Sequence, residues 1–220
     1  MKQKTKIILS AAFLLLFLLL ILLLITVDVD EYGIPSRISD GVVNVDIGLS
    51  SVNIGLLAKE NDVLFNVAEY LGYIALAVAF GFACLGAYQL VKRRSFAKVD
   101  SDIYVLAVFY IIVISLYFAF TQINVNCRPV FADKVLETTE PSFPSSHTML
   151  AICVFVSAIY QFKRRISNKT VRISVCTACG VLAVATTVCR YLSGAHWFTD
   201  IVGAVLISTS LLFAYSAAAE

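Results

Sequence analysis

Charge is scarce in this chain. Only 15% of its 220 residues are Asp, Glu, Lys or Arg, whereas 60% are hydrophobic and the mean hydropathy is +0.86. That balance excludes an ordinary soluble domain, in which about a quarter of the residues are charged. No soluble domain, internal repeat or low-complexity tract is found beyond the leucine-rich first apolar run. That run, Ile7 to Val27, follows Lys2, Lys4 and Lys6 and leads into Asp28-Val29-Asp30 without a small-x-small cleavage pattern. It is longer than the apolar part of a secretory signal and reads as a retained signal anchor. A metal-binding cysteine pattern is lacking too. Four of the six cysteines lie inside apolar runs, and Cys176-x2-Cys179 has no second pair or histidine at suitable spacing, which argues against a structural zinc site. Cys127 and Cys189 both belong near one membrane face, but the sequence does not set their separation, so no disulfide is assigned. Histidine occurs only twice, and the net charge of +2 points to no nucleic-acid partner.

What the chain has in abundance is apolar segments. Six of them, about 7–27, 63–91, 103–122, 147–162, 173–192 and 199–217, are read as membrane-spanning helices, because a helix satisfies its own backbone polar groups in lipid. The expectation is an all-α, six-helix bundle forming one membrane domain over residues 1–220. Twelve of the seventeen basic residues fall at the N-terminus (Lys2, Lys4, Lys6), in the second connection (Lys92, Arg93, Arg94, Lys98) and in the fourth (Lys163, Arg164, Arg165, Lys169, Arg172). By the positive-inside rule both termini are cytoplasmic and the loops at about 28–62, 123–146 and 193–198 face outward. Ala75, Ala79, Ala83 and Ala87 form a small-residue stripe that lets another helix approach closely. In the long outer loop, 28–62, Val42 to Leu57 reads either as a short interfacial amphipathic helix or as an irregular cover.

The two histidines sit at the outer ends of the segments. A lone interfacial histidine is more often a polar anchor than a catalyst, so their surroundings decide. His147 ends the run Pro141-Ser142-Phe143-Pro144-Ser145-Ser146-His147, a good helix start whose free first-turn amides and dipole favour an anion such as phosphate. His196 lies in Arg190-x5-His196-x3-Asp200. Four residues apart, His196 and Asp200 share a helix face if helical geometry already holds there, and the carboxylate then accepts Nδ1–H and leaves Nε2 to attack. Arg128-Pro129 in the second outer loop adds, with Arg190, planar bidentate recognition of phosphate oxygens.

Taken together, these motifs resemble those of the type 2 phosphatidic acid phosphatase superfamily, which also contains vanadium haloperoxidases. That family carries Lys-x6-Arg-Pro, Pro-Ser-Gly-His and Ser-Arg-x5-His-x3-Asp. The resemblance covers about residues 121–200 in motif order and implies that His196 is a nucleophile forming a phosphohistidine, with Asp200 orienting it. His147 would protonate the leaving lipid alkoxide and then help activate water, and Arg128, Arg190 and the amides around Ser145 and Ser146 would hold the phosphate. No metal or cofactor is needed. Three positions depart from the pattern: Thr121 stands at the first-motif lysine, Ser146 at the glycine and Cys189 at the serine. The lost lysine removes a positive charge from the phosphate cradle, for which Lys134 is the nearest replacement.

The implied reaction is metal-independent hydrolysis of a membrane-embedded lipid phosphomonoester or diphosphate: phosphatidate, phosphatidylglycerol phosphate or an isoprenyl diphosphate. A lipid phosphotransferase using an alcohol acceptor, and a non-catalytic lipid-binding membrane protein, are the alternatives. Haloperoxidase activity fits less well with a chain that is nearly all membrane helix. Glu69, two turns inside the second segment near Asn66, either faces the bundle interior and lines the substrate entrance or sits at the interface because the helix starts later.

Overall fold

The computed structural model describes residues 1–27, 37–39, 42–44, 61–123, 125 and 141–219. Among them lie six α-helices: α1 (Gln3–Val27), α2 (Asp62–Arg93), α3 (Ser101–Gln122), α4 (Ser146–Arg165), α5 (Lys169–Leu192) and α6 (Phe198–Ala218). Several start earlier than hydropathy alone sets them, because a helix runs on through polar residues to its cap. The Asn61 side chain accepts the Leu64 amide at 3.1 Å and starts α2. Asn168 accepts the Val171 amide at 3.1 Å and starts α5. Arg94, in the left-handed region at φ 49°, closes α2 with its N–H on the Leu90 carbonyl.

Two expectations change here. Arg37–Ser39 and Val42–Asn44 form a short antiparallel strand pair in the loop between α1 and α2, with Arg37 opposite Asn44, so residues 42–44 are not helical while the bundle itself is all-α. The rest of Val42 to Leu57 lies outside the described residues. The second change concerns α4. Among the described residues five helices, α1, α2, α3, α5 and α6, are long and apolar enough to cross a membrane, and α4 is not one of them.

The reason is where α4 sits. It packs against α2, α3, α5 and α6 at once, so its neighbours shield it from the surroundings. It buries Thr148, Ser157 and Gln161 beside Met149, Val154 and Phe155, and polar groups inside are tolerated because they find partners. Tyr110 Oη lies 3.1 Å from Ser157 Oγ, and Gln161 Nε2 donates to Tyr215 Oη at 2.7 Å. The outer helices instead turn apolar side chains outward, as Leu15 and Leu18 on α1, Phe80 on α2, Ile111 on α3 and Val184 on α5 do. α1 packs along α6 by Phe13 on Phe213, with ring centroids 5.9 Å apart, and by hydrogen bonds from Gln3 to the Ala217 carbonyl and from Lys6 to the Ser216 carbonyl.

Small residues on α2 do not all serve close packing. Ala75 is fully buried, but Ala79, Ala83, Gly86 and Ala87 line an apolar groove of about 710 Å³ between α2 and α3, floored by Leu150 and Val154 of α4. The stripe thus opens a cleft where closer helix contact was expected.

Basic residues gather at one end of the bundle, where a network ties four helices together. Arg165 holds Asp102 through two bonds, 2.8 and 3.2 Å, and also donates to Gln161. Asp100 accepts from Arg93 at 2.7 Å and from Gln89 at 2.8 Å, and these partners, Arg93 first, hold its carboxyl below the usual carboxylate range. Arg164 reaches the Ala219 carbonyl at the end of α6. The pair Arg165–Asp102 is three-quarters buried or more, between the exposed and the fully buried cases. Asp102→Asn should therefore cost about 1–3 kcal/mol, read as a lower thermal unfolding midpoint in detergent. An unchanged midpoint would mean the network does not hold the bundle.

Candidate active site

At the opposite end, the chain enters α4 through Pro141–Ser145. Phe143, only 1% exposed, stacks on Phe17 of α1 at 5.7 Å and lies so close over Gly203 of α6 that a Cβ there would collide with its ring. The Phe143–Pro144 peptide is cis. Ser145 stands at the N-cap position without a side-chain capping bond and is fully buried; its amide donates to the Asp200 carbonyl at 3.1 Å and its hydroxyl to Thr148 Oγ1 at 3.0 Å. This corrects one expectation, because the Ser145 amide is already used to join α4 to α6. Ser146 and the residues after it keep the first-turn amides that have no intrahelical acceptor.

His147, on the first turn of α4, meets α2. Its Nε2 lies 3.1 and 3.2 Å from the two carboxylate oxygens of Glu69. Beside it Gly72 leaves the room the ring takes: a Cβ there would stand 3.1 Å from His147 Cδ2. Arg190, at the end of α5, is 1% exposed, donates from Nη2 to Glu69 Oε1, and lies with its guanidinium 4.7 Å over the Phe65 ring. Glu69 thus bridges the His147 imidazole and the Arg190 guanidinium and faces the interior, which settles its position in favour of the inward reading.

After α5 the chain turns at Ser193-Gly194. Gly194 takes φ 79°, a conformation that favours glycine, and the Ser193 hydroxyl donates to the Arg190 carbonyl at 2.9 Å. The Asn61 amide donates to the Ser193 carbonyl at 3.0 Å and so ties the start of α2 to this turn. His196, 3% exposed, follows, and α6 begins only at Phe198. The pairing with Asp200 is therefore not a shared helix face. Asp200, fully buried in the first turn, turns Oδ2 back to accept the Trp197 amide at 3.0 Å and lies 3.3 Å from His196 Nδ1 with the same oxygen. A helix cap and an imidazole clamp are one interaction.

His147, His196, Asp200, Arg190, Ser145 and Ser146 are thus gathered at one end, joined through Glu69 and the Asp200 carbonyl. Arg128, Lys134 and Cys127 lie outside the described residues, while Cys189 carries a free thiol. Thr121 ends α3 exposed, its hydroxyl turned back on the Phe118 carbonyl at 2.7 Å. Phe65 and Gly72 were missed by sequence reasoning. Their spacing with Glu69, one turn apart on each side, was the available signal.

Residues 121–219 match the family model described as PAP2 superfamily. Phosphatidylglycerophosphatase B of Bacillus subtilis (strain 168) is 36% identical over 87 residues, which span 39% of this chain and 42% of that protein. Among solved structures, the first transmembrane PAP2 type phosphatidylglycerolphosphate phosphatase from Bacillus subtilis superposes with a TM-score of 0.60 at 20% identity, covering 94% of both chains, a likeness of fold. The apolar helices and this fold make the chain a multi-pass integral membrane protein. Both histidines, Arg190 and Asp200 lie within residues 121–219, the stretch that is similar to the PAP2 superfamily.

Proposed function

We propose that the chain, acting as one membrane domain, removes phosphate from a lipid phosphomonoester or diphosphate without a metal. The observation that carries this reading is the meeting of His147, Arg190 and the His196–Asp200 pair at one end of an apolar bundle. Asp200 takes His196 Nδ1–H, so Nε2 has the free electron pair that attacks phosphorus. The bond to the lipid oxygen breaks, its electrons stay on that oxygen, and His147 gives it a proton. Water then attacks the phosphohistidine, with His147 taking the proton back. Arg190, Arg128 and the first-turn amides at Ser146 hold the phosphate oxygens and offset the charge that builds up.

The groove between α2 and α3 supports a lipid as substrate. It begins at Leu76 and Leu150, one turn below Gly72 and His147, and runs to Leu90. That stretch of α2 is about 21 Å long, enough for a hydrocarbon tail, which needs to span half of a core about 30 Å thick. The basic end of the bundle is the cytoplasmic one by the positive-inside rule, so the site faces outward. Phosphatidylglycerol phosphate is the first substrate to test, since the similar Bacillus subtilis protein bears the name phosphatidylglycerophosphatase.

Detergent-purified protein should release inorganic phosphate from at least one of phosphatidylglycerol phosphate, phosphatidate and isoprenyl diphosphate. His196→Ala should lower that rate by about a thousand-fold or more and abolish an acid-labile, alkali-stable phosphoenzyme in rapid-quench labelling. Phosphate transferred to an added alcohol instead of water assigns the phosphotransferase, and turnover untouched by His196→Ala sinks the catalytic reading. The groove is tested separately by Ala79→Phe. Excluding two or three methylenes at about 0.8 kcal/mol each should raise KM for a long-chain substrate roughly ten- to fifty-fold and leave a short, water-soluble phosphate ester unaffected.

A further inference from the structure

Helix α2 lies outside the stretch that matches the family model, yet it supplies one wall of the site. Phe65, Glu69 and Gly72, spaced by one helical turn, share the face turned towards α4 and α5. Phe65 lies beneath the Arg190 guanidinium, Gly72 makes room for the His147 ring, and Glu69 between them bonds to both. The edge of His147 that carries Cδ2 and Nε2 is consequently the edge set against α2. Nδ1 is on the other edge.

We propose that Glu69 is a positioning residue for the leaving-group step: by holding His147 Nε2–H it sets the ring so that Nδ1 delivers the proton to the lipid oxygen. This rests on the reading of His147 as the acid. The arrangement repeats the one at His196 with the nitrogens exchanged, since Asp200 holds Nδ1 there and leaves Nε2. Two carboxylates on different helices assign opposite nitrogens to the two imidazoles. Charge supports the same role. An imidazolium at His147 stands beside the buried Arg190 cation, and repulsion between them is strong where water is excluded. Glu69 touches both and offsets part of it. In the step itself the phosphorus–oxygen bond breaks with its electron pair on the lipid oxygen, the Nδ1 proton passes to that oxygen, and neutral His147 keeps its Nε2 proton on Glu69.

The test compares leaving groups. A lipid alkoxide needs a proton to depart, whereas the phenolate of an aryl phosphate such as p-nitrophenyl phosphate needs little help. Glu69→Gln in the full-length protein should lower kcat on the lipid phosphate by about a hundred-fold, lower it at least ten-fold less on the aryl phosphate, and leave KM for the lipid within about three-fold. Glu69→Asp, which keeps the charge, should recover part of the loss. Combined with His147→Ala, Glu69→Gln should add nothing further. Equal losses on both substrates would make Glu69 only a strut and overturn the proposal. Faster turnover in Glu69→Gln would overturn it too, marking Glu69 as an anion that competes with the substrate. Should wild-type protein release no phosphate from any substrate, the reaction assigned above fails, and the positioning role is still read from 15N shifts of the two histidines. The neutral His147 ring should carry its proton on Nε2 and lose that preference in Glu69→Gln; the same tautomer mixture in both proteins would overturn the proposal.

Discussion

A charge surrounded by hydrocarbon has no water to lean on, so each ionisable side chain within the bundle is placed where another polar group can reach it. Glu69 sits two turns inside α2 because His147 and Arg190 come to it from α4 and α5. Arg190 is buried because Glu69 and the Phe65 ring receive it. Asp200 is fully buried because the Trp197 amide and the His196 ring turn towards it. These bonds run between helices, so satisfying the charges and fixing the arrangement of α2, α4, α5 and α6 are one requirement.

Helix α4 shows how the same constraint shapes the whole architecture. Its serines, threonine and glutamine would be costly against lipid, and α2, α3, α5 and α6 surround it. Those outer helices can then be apolar almost all round. A central polar helix offers something an apolar one does not, namely a first turn carrying His147 inside the bundle end, where side chains from several helices converge on it.

The existence and order of the helices were legible in hydropathy, since long apolar runs are the strongest signal a sequence gives. Hydropathy found α4 but not its place: it is shielded by its neighbours and so does not need to be as apolar as the outer helices. Hydropathy also missed the first turns of α1 and α5, which run through polar residues, in α5 up to the Asn168 cap. His196 and Asp200 were read as partners for the wrong reason. Spacing of four implied a helix face, but the pair forms because Asp200 folds back as an N-terminal cap while His196 lies outside the helix. Ser145 illustrates the opposite failure: its motif position suggested a free amide for an anion, yet that amide is bound to the Asp200 carbonyl, a contact between segments that no local pattern encodes. The alanines of α2 were misread because a small side chain permits either a close helix or an empty space. Only the position of α3 decides which.

The two ends of the bundle divide the work. At the basic end Arg165, Asp102, Gln161 and Tyr215 satisfy one another, leaving a closed network that joins α3, α4 and α6. At the other end the balance is struck differently, because one carboxylate, Glu69, serves both a guanidinium and an imidazole and is itself about a quarter exposed. Such a bridge is tight enough to hold α2 against α4 and α5. Its partners, a guanidinium and an imidazole, are also donors suited to an incoming phosphate. In the reaction proposed above a phosphate joins this end without new side chains being brought in, whereas at the basic end the described carboxylates, Asp100 and Asp102, are already matched by arginines.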